Sequence, residues 1–290
     1  MKSVLRKCIV LTLLFTLALP IVVLADAIPG DIIVTLGEDL TEAQKNQLMT
    51  EMGVTAENNI IYVTNEEEHQ YLGSYISAAR IGTNALSSSK ITLGENGSGL
   101  IVESNNIDWI SDEMYANALI TAGVEDAEIY VTSPISVSGT AALTGLIKAY
   151  EIAADIEIPE EQKQVANEEM VKTGELSRSI GVEEATDLMN RIKEELASNP
   201  VENEDDLRAL IQRIANEMGI TLTEEELNGL VSLFMRMKDL NIDWDQVQDQ
   251  ITKVRDNLGE YLNSEETQGF IQRFLDLINS LIDSIRGIFS

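Results

Sequence analysis

Cysteine, histidine and positive charge are what this 290-residue chain has least of. Its one cysteine is Cys8 and its one histidine is His69. Lys and Arg total 20 against 49 Asp and Glu, a formal net charge of −29. Each shortage excludes chemistry. One thiol near the N-terminus leaves no thiolate zinc site and no iron–sulfur cluster. A single imidazole rules out a multi-histidine metal centre, and any Ser-His-Asp machine would have to use His69. Nucleic acid is excluded as a partner, because phosphate binding runs on clustered Lys and Arg. Anionic lipid surfaces are disfavoured for the same reason. Acidity on this scale serves solubility. Its sharper reading is affinity for divalent cations or for a cationic partner.

What is present begins with a three-part N-terminus. Lys2, Arg6 and Lys7 precede an apolar run from Cys8 to Leu24, interrupted by Pro20. Small residues follow in Ala25-Asp26-Ala27. Basic, apolar and small-residue regions in that order predict a secretory signal over residues 1–25, cleaved after Ala25 or Ala27. The run is 17 residues long, short of the roughly 20 that a spanning helix needs. No second segment is apolar enough to span a bilayer. Cys8 does not follow a cleavage motif, so a lipid anchor is not expected on it. Cleavage would remove three cations and the only thiol, leaving 17 basic against 49 acidic residues, a net of −32 and no disulfide. The expected address is extracytoplasmic, secreted or bound to the cell envelope.

The body divides by hydrophobic period. Residues 28–156 alternate strand and helix patterns. Asp31–Leu36, Ile60–Thr64, Lys90–Leu93, Leu100–Ser104 and Ala127–Thr132 read as strands. Thr41 with Gln44 makes a capping box for a helix ending at Gly53, and Asn65 caps a short helix beginning Glu66-Glu67-Glu68. Ser87-Ser88-Ser89 belongs to a turn-rich stretch. Glu95-Asn96-Gly97-Ser98-Gly99 between two β-branched runs predicts a hairpin. Ser111 or Asp108 opens a helix that ends at Gly123, and another runs from Thr140 to Ala154. An internal repeat is visible: Gly53-Val54 leads to Ile61-Tyr62-Val63-Thr64, and Gly123-Val124 leads to Ile129-Tyr130-Val131-Thr132. The expectation is a mixed sheet of about five strands, built from two repeated β-α-β-α units and a hairpin.

After Pro159 only helical spacing remains. Helices are expected over 160–172, 176–198, 203–218, 223–240, 244–262 and 265–288. Thr223 with Glu226 forms a capping box, and Asp243 with Gln246 resembles one. The last segment carries Phe270, Phe274, Leu277, Ile278, Leu281, Ile285 and Ile288 on one stripe, a face for docking on the bundle. The fold class is therefore α/β plus all-α, with a second domain, 157–290, that is a helical bundle.

Candidate chemistry is thin. Glu66–Glu68, Glu204-Asp205-Asp206 and Glu224-Glu225-Glu226 all sit at helix starts, where the macrodipole favours them. No carboxylate pair stands out, so no catalytic, cofactor or metal residue is assigned. Asn-Ile-Asp-Trp occurs at 106–109 and 241–244 and holds both tryptophans; each reads as a helix start with its Trp packed behind it. Ser136-Val137-Ser138-Gly139-Thr140 leads from strand to helix, where anions can bind. It lacks a P-loop lysine and a dinucleotide glycine pattern.

Three blocks carry a resemblance: Gly30–Gly37, Met114–Gly123 and Ser138–Glu151. They resemble the YpuA-like family of exported Bacillus and Firmicute proteins, a domain of unknown function, from about residue 26 to about 268. The resemblance implies a Gram-positive envelope setting and supplies no activity or catalytic residue. The expected function is a non-enzymatic acidic protein that binds an envelope component, an exported protein or divalent cations. The alternative is a secreted hydrolase using an Asp/Glu pair.

Overall fold

A computed structural model describes residues 28–240 and 242–263. The signal segment, the cleavage positions Ala25 and Ala27 and the expected helix over 265–288 lie outside the described residues. The elements are β1 (Ile32–Gly37), α1 (Glu42–Glu51), β2 (Asn59–Val63), α2 (Asn65–Leu72), α3 (Ala78–Ile81), β3 (Ser88–Leu93), β4 (Leu100–Ile107), α4 (Asp112–Thr121), β5 (Ala127–Val137) and α5 (Thr140–Ala154). Five longer helices follow: α6 (Glu160–Ile180), α7 (Val182–Ser198), α8 (Glu204–Glu217), α9 (Glu224–Asp239) and α10 (Trp244–Asn263). A mixed five-stranded sheet followed by helices is the expected fold class.

The strand order is β2-β1-β3-β5-β4. β3 is antiparallel to both neighbours, whereas β1 with β2 and β4 with β5 are parallel pairs. The hairpin expected between β3 and β4 is therefore not formed, because β5 lies between them. Asp126 holds the connecting loop. Its carboxylate accepts Gly97 N–H at 2.9 Å and Gly99 N–H at 2.7 Å, and its carbonyl accepts Gly94 N–H at 2.7 Å. The glycine loop thus wraps the start of β5 instead of closing a turn. Six residues reach easily across the roughly 10 Å that two strand spacings require.

The sheet is covered unequally. On one face α1 packs Leu48 and Met52 over Val34 and Leu36. On the other, α4 and α5 cover Ile33, Ile91, Ile129 and Val131. The two β-α-β units thus share an element order but set their helices on opposite faces. The second core continues outward into Met170 and Val171 of α6 and Val247 and Ile251 of α10. The change of period at Pro159 marks a change of secondary structure and no gap in packing. A further cluster, with Leu188, Ile192, Ile211, Leu230 and Phe234, holds α6 to α9 together.

Caps explain most helix starts. Thr41 with Gln44 and Thr223 with Glu226 form the expected boxes. Thr64 with Glu67 forms a third, so Thr64 and not Asn65 caps α2. Ser111 caps α4, and Asp243 accepts Gln246 N–H at 3.0 Å. Two boundaries differ from expectation. The break expected after 172 falls at Gly181, whose φ of +102° ends α6. Gly174 sits inside α6 because the Trp109 indole occupies the space a Cβ would need. β5 runs on through Pro134 to Val137, with an irregularity where Asn106 (φ +58°) interrupts the register with β4. A proline is tolerated in a strand at such a point.

Candidate functional site

Four of the sequence features meet at the N-terminus of α5. A cleft of about 650 Å³ opens there, lined by Glu68 of α2, Arg80 of α3, Ser87, Asp108 and the Ser138-Gly139-Thr140 turn. Gly139 holds φ +92° as the N-cap, and its carbonyl accepts the Tyr115 hydroxyl at 2.7 Å. Tyr115 is wholly buried, and a Cβ on Gly139 would collide with its hydroxyl. The turn is therefore locked to α4. Ser87 Oγ accepts Ala142 N–H at 3.0 Å, which satisfies one of the free amides of the first turn of α5.

The three serines expected in a turn are instead buried at the start of β3. Ser88 Oγ accepts Gly37 N–H at 3.2 Å, and Ser89 Oγ lies 2.6 Å from Thr35 Oγ1. Their burial is possible because each hydroxyl finds a partner. Nothing in the local pattern separates such a run from a loop, since serine favours both turns and caps.

Glu68 is 1% exposed, unlike its neighbour Glu66. It accepts the Thr140 hydroxyl at 2.7 Å and Asn65 Nδ2–H at 3.1 Å. Burial pushes its carboxyl above the usual range, against the pull of those two hydrogen bonds. Glu67 behaves oppositely. Burial raises it, but Lys148 at 2.7 Å and the Thr64 amide outweigh that and hold it low. Asp108 is exposed and accepts the Ser136 hydroxyl at 2.9 Å. His69 is half-buried rather than on the open surface, and its Nε2–H donates to the Gly82 carbonyl at 3.1 Å.

The tryptophans hold the molecule together. Arg80 lies 4.8 Å from the Trp109 ring centre, and Trp109 Nε1–H donates to the Gly174 carbonyl at 3.4 Å. Trp244 packs against both the sheet core and the bundle core. The acidic runs at 204–206 and 224–226 lie in the first turns of α8 and α9, where Asp206 and Glu226 take part in the caps. Sequence reasoning missed Glu51, whose Oε1 accepts Asn105, Thr132 and Tyr130 side chains at 2.8 to 2.9 Å on the sheet face beside α1. It also missed the fully buried Glu169–Lys193 pair. Lys193 Nζ–H donates to the Asn117 carbonyl and the Thr121 hydroxyl, each at 3.1 Å, tying α7 to α4. Neither had a signal, because an isolated charge in a helix reads as solvent-facing.

Among the described residues, no group of three or more His, Cys, Asp or Glu is arranged to hold a metal ion. None of the described helices is long and apolar enough to cross a membrane. The cleft offers a guanidinium, five hydroxyls and two carboxyls on a locked frame. With that geometry on hand, comparison with known proteins places the chain. Residues 36–254 match the family described as "Protein of unknown function (DUF1002)".

The chain belongs to the DUF1002 family.

It is also 52% identical over 274 residues to the "Uncharacterized protein YpuA" of Bacillus subtilis (strain 168), covering 94% of each chain. No solved structure matches. The DUF1002 match runs from the end of β1 to Val254 of α10, so the residues lining the cleft lie within it.

Proposed function

We propose that this DUF1002 protein is a non-enzymatic binding protein of the Gram-positive cell surface, exported by its N-terminal signal and taking a polar envelope component in the α5 cleft. The observation that carries this reading is the state of the cleft's reactive groups. The lone imidazole, which lies outside the cleft lining, is engaged by Gly82, and the buried carboxyl by Thr140 and Asn65. Ser87 is held by the Ala142 amide. The carboxyl beside the Thr140 hydroxyl is also held by Asn65, and the lone imidazole does not line the cleft, which supports recognition over turnover. Hydroxyls, amides and one guanidinium on a rigid frame suit a hydroxylated or anionic ligand.

One observation favours the hydrolase reading as the second. Glu68, raised by burial, and the exposed Asp108 line the same cleft. Two carboxyls, one buried and one exposed, facing the same cleft are the arrangement such an enzyme needs.

Titration calorimetry on residues 26–290 separates the two. The probes are soluble peptidoglycan fragments, a glycerol-phosphate polymer and calcium chloride. Binding without change in the probe's mass is expected for a wall component, and Arg80→Ala should weaken it about tenfold or more, as loss of a charged hydrogen bond does. Probe cleavage that disappears in Glu68→Gln would establish the hydrolase instead. Absence of heat with every probe overturns the binding reading. Calcium is discounted if millimolar ion leaves the melting temperature unmoved. Fractionation of cells with N-terminal sequencing of the released protein tests the address, and a cytoplasmic, uncleaved chain would refute it.

A further inference from the structure

The two edges of the sheet are finished differently. At β2 the strand is five residues long, and Lys148 reaches over it to the Tyr62 carbonyl at 3.4 Å. At the opposite end β4 is eight residues long, and among the described residues no strand lies beyond it. A long open edge presents a row of unpaired amides and carbonyls, and proteins normally shorten, charge or cover such an edge. Here a groove of about 420 Å³ follows it. Ile101 and Glu103 point to one face of the sheet, and Val102 and Ser104 to the other. Asp112 and Ala116 of α4 form the back wall, and Val254 of α10 closes one end. Walls drawn from both faces of one edge strand enclose the space that an added strand would fill, since its own side chains alternate between the same two faces. Ile101, 42% exposed, offers such a strand an apolar neighbour.

The charges indicate what fits. Every ionisable acid or base lining the groove, apart from the Tyr130 phenol, is a carboxyl: Glu103, Asp112 and Glu113. Asp112 Oδ1 is buried and has no hydrogen-bond partner. Burial raises the Asp112 carboxyl, Ser104 works against that, and the charges of Glu113 and Glu103 add to it, so the three acids are close enough to feel one another. Lys253, beyond the end of the groove, is already paired with Asp249 at 2.6 Å. A buried carboxylate oxygen without a donor is costly and calls for a cation. A second copy would bring the same acids to the same edge. The chain's own residues 264–290 hold four acids against two arginines.

We propose that β4 is a docking edge for an extended peptide segment of another protein, one that carries a lysine or arginine between apolar residues. The segment pairs backbone to backbone along Leu100–Asn105, its apolar side chains rest on Ile101 and Val102, and its cation meets Asp112. This site is separate from the α5 cleft, so it stands or falls independently of the reading given above.

A labelled six-residue peptide alternating valine and threonine, with one central lysine, is the probe. Its anisotropy is read against residues 26–290 at 0.15 M salt. Binding is expected, at least tenfold weaker for a glutamate analogue and for a backbone N-methylated analogue. Asp112→Asn should weaken it about tenfold, and Ile101→Lys at this exposed edge should abolish it, with melting temperatures confirming that both variants fold. Arg80→Ala should leave it unchanged. Hydrogen exchange should slow at residues 100–105. Equal binding of the lysine and glutamate peptides, protection elsewhere, or no binding at millimolar peptide overturns the proposal. Binding that appears only when residues 264–290 are removed would assign the groove to that segment. A dimer in light scattering that Ile101→Lys dissolves would assign it to a second copy.

Discussion

The sheet half and the helical half solve the same problem with different materials. Residues 26–156 hold four Lys and Arg, and residues 157–290 hold thirteen, yet each half carries a net −16. In the helices those cations form ion pairs one turn apart on the surface, such as Arg191 with Asp187 at 2.9 Å and Arg213 with Glu217 at 3.1 Å. Such pairs contribute a few tenths of a kcal/mol each. The core beneath them, around Leu188, Ile211 and Phe234, is apolar. Outside that cluster the helices also bury Glu169 and Lys193, whereas the sheet half buries hydroxyls at its centre: Thr35, Ser87, Ser88, Ser89, Thr132 and Thr140, with Glu68 among them. Its stability therefore depends on partners being in register, whereas that of the bundle depends on filled volume. Polar groups fixed so tightly inside a fold also shape a cleft, which is why the candidate site lies in the sheet half.

The sharpest way to break this comparison is at the joint. Glu169 and Lys193 are both 0% exposed and belong to the helices, yet their partners Asn117 and Thr121 belong to α4. Burial pushes the Lys193 ammonium down and the Glu169 carboxyl up, each opposed by the other's charge. Lys193→Met should cost about 3–5 kcal/mol in urea unfolding, because it strands a buried carboxylate. The double change Glu169→Leu with Lys193→Met should recover most of that. A single-variant cost below about 1 kcal/mol would show that the bundle does not depend on its polar link to the sheet.

A smaller effect comes from two glycines in the left-handed region. Gly139 has φ +92° and no room for a Cβ beside Tyr115, while Gly219 has φ +72° and open space around it. Gly219→Ala should cost about 1–2 kcal/mol from backbone strain alone. Gly139→Ala should cost more, by the clash it adds, and should also shift the cleft. Equal losses in thermal unfolding would mean that the α5 turn is looser than its hydrogen bonds imply.

The smallest effect is a pH dependence. Glu68 has a folded-state value above its unfolded one, so its contribution is fully present below the ordinary glutamate range and is lost as pH rises through the folded value. Glu68→Gln should therefore gain on the parent chain between pH 4 and pH 7, read as the difference in melting temperature. A parallel pair of curves would place the carboxyl in water.

Legibility followed the same division. Apart from one break, the described helices after Pro159 were readable to within a residue or two, because a 3.6-residue period and caps such as Thr223 with Glu226 are local signals. The exception, Gly174, was misread as a break because its reason, Trp109, lies 65 residues away. In the sheet half the strands were legible and their neighbours were not. The glycine-rich loop after β3 carried a hairpin signature, but Asp126 drew its amides around β5. Ser87–Ser89 looked like a turn and were buried, Ser88 and Ser89 in β3 and Ser87 just before it. The Ser136–Thr140 strand-to-helix step read as a place where anions can bind, while Glu68, which meets it in the cleft, was read only as one of three helix-start acids favoured by the macrodipole.

By itself the sequence determined the class of this protein: acidic, nearly free of thiol and imidazole, strands and helices first and helices alone afterwards. It could do so because composition is a sum and amphipathic period is a property of neighbours. The tertiary structure decided the strand order, the burial of Glu68, Glu169 and Lys193, the joint made by both tryptophans, and the open edge at β4. Each depends on groups tens of residues apart meeting in space, and a side chain's exposure is set by what covers it rather than by what precedes it.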